Sequence, residues 1–180
     1  MTPLVSQPIH SAVRPVLPGL FLGVLTLLFG FGLGVVFGLN EALIQDRLLA
    51  SATAAPPEVY QQDEAKQKAV IDKSWAYMQR AHLHAGSLGA VAVALSLVVV
   101  AIGTSAGAAR ATSLALGVGG LGYAVFWLAA GFRAPGLGST GAAKESLKWL
   151  ALPSVGLVVA ATAAVGVFVV LAMLKPRSTT

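Results

Sequence analysis

Four stretches of the 180-residue chain contain no Asp, Glu, Lys or Arg: residues 15–40, 81–109, 111–132 and 149–174. Each exceeds the roughly 20 apolar residues with which a helix crosses about 30 Å of hydrocarbon. Hydrocarbon offers a peptide group no hydrogen-bond partner. A crossing segment must therefore satisfy its own backbone, which a helix does within one segment. A transmembrane barrel would show segments of about ten residues alternating in polarity, and residues 91–102 do not alternate. Only 11% of the chain is charged, against about 25% in a soluble domain, so a water-facing fold would lack polar surface. The expected fold is an all-α membrane protein, a four-transmembrane-helix bundle with spans near 17–39, 82–104, 113–132 and 150–174.

The remaining segments set the domain layout. Residues 1–16 read as a polar, frayed N-terminal tail and 175–180 as a basic C-terminal tail. Residues 50–54 (Ala-Ser-Ala-Thr-Ala) resemble a signal cleavage site. The apolar run before them is longer than a signal core and ends some way short of them, so 17–39 is expected to be a permanent span. Residues 40–80 form the one long polar segment. Phe37, Glu41, Ile44 and Leu48 share a helical stripe, Pro56-Pro57 breaks the chain, and Ile71, Trp75, Met78 and His82 form a second stripe. The expectation is a helical extramembrane hairpin between spans 1 and 2, mostly helical over 41–50 and 58–80 with its turn at 54–57, and with Glu64 and Lys68 paired at i,i+4. Residues 133–141 read as a loop, with Ser139 or Thr140 capping the next helix. Pro153 marks either a kink or the first turn of the fourth span.

Several function classes drop out. Without cysteine there are no disulfides, thiolate metal sites or thiol catalysis. A net charge of +5 with no basic stripe gives nucleic acid nothing to bind; anionic lipid is the fitting counter-charge. No nucleophile elbow, P-loop or zinc-protease motif is present, and the glycines at 117–122 read as helix packing rather than a phosphate loop. Gly30, Gly34 and Gly38 share one face, and small residues at that spacing let helices approach closely in lipid. That face serves packing within the bundle first and self-association second; the expected partners are the bilayer and a membrane protein, or a second copy engaged through such faces.

An even number of spans puts both termini on one side. That side carries Arg14, Arg110, Lys175 and Arg177 and no acid, while all seven acids lie opposite. The acid-free side is expected to be cytoplasmic, in a bacterial-type inner membrane. On the opposite side, aligning the midpoints of the spans brings Glu41 and Arg80 to one depth, with His82, His84 and Arg133 slightly deeper. Lys144, Glu145, Lys148 and Trp149 lie at or just outside that depth. Trp75, Trp127 and Trp149 fall near the same face, as interfacial anchors would.

Imidazole suits zinc, copper and haem iron, which makes His82, His84, Arg80 and Arg133 a candidate cofactor set for haem. His82, Met78 and Glu41 form a candidate transition-metal set. Residues two apart on a helix point about 200° apart, so His82 and His84 cannot clamp one ion together. Met78 and His82, at i,i+4, can share a face. His82 is expected to point into the bundle and bond a carboxylate or backbone carbonyl, and His84 to meet polar groups or headgroups. The competing arrangement is a packed mouth in which Arg80 and His84 stack at i,i+4, Glu41 salt-bridges Arg80 or bonds a histidine, and Arg133, Lys144 and Lys148 snorkel to phosphates. The chain is expected to be a structural or accessory subunit of a larger membrane assembly. Redox or metal- and haem-handling is the alternative, and small-solute transport the third reading.

Overall fold

A computed structural model describes residues 9–175. Among these the chain is helical throughout its long elements, with no strand. A short helix α1 (Ile9–Val13) and a 3-10 turn (Arg14–Val16) lead into α2 (Leu17–Thr53). A four-residue helix α3 (Pro57–Tyr60) precedes α4 (Glu64–Ala101). Then come α5 (Ala106–Leu137), α6 (Thr140–Ser146) and α7 (Lys148–Leu174). The helices α2, α4, α5 and α7 are long and apolar enough to cross a membrane, the mark of an integral membrane protein.

Their association rests on α5. Half of its most apolar stretch is buried in the protein, against 11% for α7. The reason is its small residues. Lipid is as apolar as leucine, so helices gain little by hiding apolar surface from it and associate where their backbones fit closely. A Cβ on Gly19 of α2 would collide with the Ser113 backbone of α5. One on Gly119 of α5 would come within 2.6 Å of the Ser154 carbonyl oxygen on α7, and one on Gly131 within 2.6 Å of Met78 Cγ on α4. The glycines at 117–122 thus lie inside a helix and serve crossings. On α2, Gly30 and Gly34 are used the same way against Ala85, Gly86 and His82, whereas Gly38 faces open space.

Hydroxyls tie the opposite end. Ser96 Oγ on α4 donates to Ser113 Oγ on α5 (2.8 Å), which donates on to the Val16 carbonyl (3.1 Å). Thr26 and Ser74 bond back to their own helices at Leu22 and Val70. Each of these four hydroxyls thereby avoids the cost of standing unpaired in an apolar setting.

Several boundaries differ from expectation. Residues 9–16 are helical rather than frayed, and Val16 is wholly buried; residues 1–8 and 176–180, with Arg177, lie outside the described residues. The first helix runs on past residue 39, as the stripe from Phe37 to Leu48 implies, and adds a kink at Asn40 (φ −134°, ψ 30°). Glu41 is exposed, while Phe37, Ile44 and Leu48 are buried. Helix does not run unbroken from 58. Gln61 and Gln62 adopt positive φ (53° and 61°), and α4 restarts at Glu64 with the Asp63 side chain accepting from the Lys66 amide (2.9 Å). The expected Glu64–Lys68 pair is replaced by Lys68–Asp72 (2.7 Å).

Residues 133–137, read as loop, continue α5 through Pro135 and stop at Gly138 (φ 59°), a left-handed position that suits glycine. Ser139 caps α6 by accepting from the Ala142 amide (3.2 Å). The break before α7 falls at Leu147, so Pro153 lies in the second turn of that helix.

The α2–α5 crossing yields a direct test. Gly19→Ala should lower stability by about 1–3 kcal/mol through overpacking. Gly38→Ala, with open space around it, should be neutral or stabilising by up to about 1 kcal/mol. Thermal unfolding of the two variants in detergent, followed by circular dichroism, separates them; equal shifts would contradict the packing described.

Candidate functional site

The mouth of the bundle is built where α4 passes between the kinked end of α2 and the C-terminal half of α5. His82 faces α2. A Cβ on Gly34 would lie 2.8 Å from its Cε1, so the ring rests on a bare stretch of helix. Its Nδ1 is 2.8 Å from the Gly30 carbonyl oxygen, the backbone-carbonyl partner expected for this residue. An acceptor there requires Nδ1 to carry a proton.

His84 turns to the other side, and its surroundings are not those expected. It meets rings rather than polar groups. Its imidazole stacks on Trp127 (centroids 6.0 Å, planes 24° apart) and tilts against Tyr123 (5.0 Å). Tyr123 and Trp127 are four residues apart on α5 and so form one shelf. Both histidines are partly buried.

Around this shelf is an aromatic cluster that sequence reasoning did not assemble. Tyr77 packs edge-on to Trp127 (4.9 Å), and Phe126 does the same (5.1 Å). The Arg80 guanidinium lies over Trp127 (5.1 Å) and Tyr77 (5.5 Å), while Lys144 Nζ stands 5.8 Å from the Tyr77 ring. A cation over a ring face is attracted by the ring quadrupole, at about 0.5–1 kcal/mol where exposed. Arg80 is thus held by rings, and the expected salt bridge with Glu41 does not form; the ion pairs among the described residues are Lys68–Asp72 and Lys148–Glu145. Tyr77, Arg80 and His84 at 3-4 spacing facing Tyr123 and Trp127 at i,i+4 is the signal that was available. Trp127 is buried rather than interfacial, in contrast to Trp149, which is 71% exposed. Its Nε1 has no hydrogen-bond partner among the described residues.

The candidate sets are only partly brought together. Arg80 and His84 share the Trp127 ring, and His82 lies apart on the α2 side. Arg133 is exposed near the end of α5. Met78 is wholly buried with Phe37, Ile44 and Leu48, and Glu41 is exposed. Among the described residues no group of three His, Cys, Asp or Glu side chains is placed to hold a metal ion.

Beyond the mouth, the hairpin is pinned to α5. The buried Tyr60 hydroxyl donates to the Pro135 carbonyl (2.5 Å), and burial raises the phenol above its usual pKa, keeping it a donor. Gly138 abuts Val59, and Gly136 abuts Ser51. No protein-family model, curated protein or solved structure matches the chain.

Trp127→Phe should alter stability by less than about 1 kcal/mol, because it keeps a ring and removes a donor that is already unpaired. Trp127→Ala should cost about 3–5 kcal/mol. Denaturation in micelles distinguishes them. A Phe variant as damaged as the Ala variant would mean that the indole N–H has a partner.

Proposed function

We propose that this chain is a structural or accessory subunit of a larger membrane assembly, set in a bacterial-type inner membrane with both termini cytoplasmic. In this reading the end of α2, α3 and the start of α4 stand outside the bilayer as a docking hairpin. Length supports this. At 1.5 Å per residue, 37 residues of α2 and 38 of α4 extend about 55 Å, nearly twice the hydrocarbon thickness. Both charge-free stretches lie toward the opposite ends of these helices.

One observation carries the reading. Beyond the charge-free window of α2, Leu43 and Leu49 are 61% and 49% exposed, on a hairpin whose far end is tied down by Tyr60. A groove of about 520 Å³ lies beside Leu43, lined also by Ile44, Arg47, Leu48, Ser51 and Phe132. An apolar surface held in fixed shape outside lipid favours a partner, because little ordering cost remains on binding. The matching partner is a membrane-protein helix with an apolar face and an acid opposite Arg47. A second copy of this chain is the self-association form of the same idea.

A photo-crosslinking residue at Leu43 tests this in intact membranes, with Lys68 on the charged face as control. The expected result is a discrete adduct from position 43 and none from 68; its mass tells partner from second copy. Adducts from neither position, or equally from both, would overturn the docking role.

A further inference from the structure

The end of the bundle opposite the mouth carries a second, unrelated feature. The Ser113–Val16 bond and the Gly19 crossing fix the start of α2 against α5. One turn beyond that contact, Arg110 on α5 and Arg14 on the 3-10 turn come to line one cavity of about 450 Å³. They are 96 positions apart in the chain, so the tertiary crossing alone brings them together. Ser11, Pro15, Pro18, Ala106 and Gly107 complete the lining. Both guanidiniums are exposed, and among the described residues neither is in an ion pair. No acid occurs in the chain before Glu41 or between Asp72 and Glu145, so nothing on these segments offers a counter-charge.

Two arginines lining one cavity with no carboxylate among its lining residues give it the character of an anion site. Arginine is the residue whose planar fork of donors fits phosphate oxygens. The first turn of α5 reaches the same cavity at Ala106 and Gly107, and its cap residue Ser105 makes no side-chain cap bond. Its leading amides therefore add partial positive charge to what the arginines already set.

We infer that this cavity binds a phosphate group, either the phosphodiester of an anionic lipid headgroup or a soluble phosphate. The lining favours the lipid source. Pro15 and Pro18 give the cavity an apolar wall, and the neighbouring Leu17 and Phe21 are 46% and 67% exposed, a surface along which an acyl chain can lie. The site shares no residue with the hairpin groove, so it stands or falls independently of the accessory-subunit reading.

The test uses the full chain in neutral detergent, titrated with short-chain phosphatidylglycerol and, separately, with inorganic phosphate, and read by native mass spectrometry or calorimetry. Saturable binding of the lipid is expected. The double variant Arg14→Gln with Arg110→Gln should weaken it tenfold or more, since each lost charge-assisted contact approaches a factor of ten. A charge-matched control, Lys68→Gln with Lys73→Gln, should leave it unchanged. Inorganic phosphate that binds and competes at similar concentration would assign the site to soluble phosphate; phosphate without effect would assign it to lipid. Equal losses in the two double variants would reveal attraction to net charge alone and overturn the site, as would no saturable binding of either probe. The arginines are exposed, so melting of the unliganded variants should match wild type and separate loss of binding from loss of fold.

Discussion

A peptide group in hydrocarbon has no partner but another peptide group, and the rest of this structure depends on that constraint. It makes each charge-free stretch a helix, and it leaves those helices without a hydrophobic reason to associate. Close backbone approach takes over. The helix richest in glycine, α5, becomes the hub on which α2, α4 and α7 are laid, and each neighbour meets it where a Cβ would not fit. The same constraint governs side chains. Ser96 and Ser113 bond each other and the Val16 carbonyl, and His82 directs its ring proton at the Gly30 carbonyl.

The two ends of the bundle then differ in chemistry because they differ in charge. At the mouth, acids and bases are both present, yet Arg80 and Lys144 are held by aromatic faces rather than by carboxylates. At the other end only bases remain, and packing of α2 on α5 draws Arg14 and Arg110 to one cavity. Fixed helix crossings thus turn a scattered set of charges into two distinct surfaces, and the pinned hairpin adds a third.

The four apolar helices were legible because a charge-free run of about twenty residues or more fits a membrane crossing and little else. Their ends were less so. Hydropathy marks where lipid suits a residue, not where hydrogen bonding stops. Asn40, polar and at the edge of the window, carries a kink in a helix that runs on, and Pro135 is carried inside the last turns of α5 rather than ending it. The break at Gln61 and Gln62 carried no glycine or proline to announce it. Lys68 chose Asp72 over Glu64, both being four residues away.

At the mouth, the structure gives the residues singled out by the sequence partly different neighbours from those expected. Helical phase separated His82 from His84 correctly, since it is a property of α4 alone. Which helix each would face is a tertiary fact, and there the stripe argument placed His84 among polar groups when Tyr123 and Trp127 were waiting for it. Glu41 falls on the Phe37–Ile44–Leu48 stripe by spacing, yet its side chain is exposed.

The most direct measurement of the central claim, four crossings by these helices, uses the absence of cysteine. Single cysteines at Thr104, Thr53 and Lys175 can be labelled in sealed membrane vesicles with an impermeant thiol reagent. Thr104 and Lys175 are predicted to react from one side and Thr53 from the other. Thr53 labelling from the same side as Thr104, or Lys175 from the side opposite to it, would contradict the account.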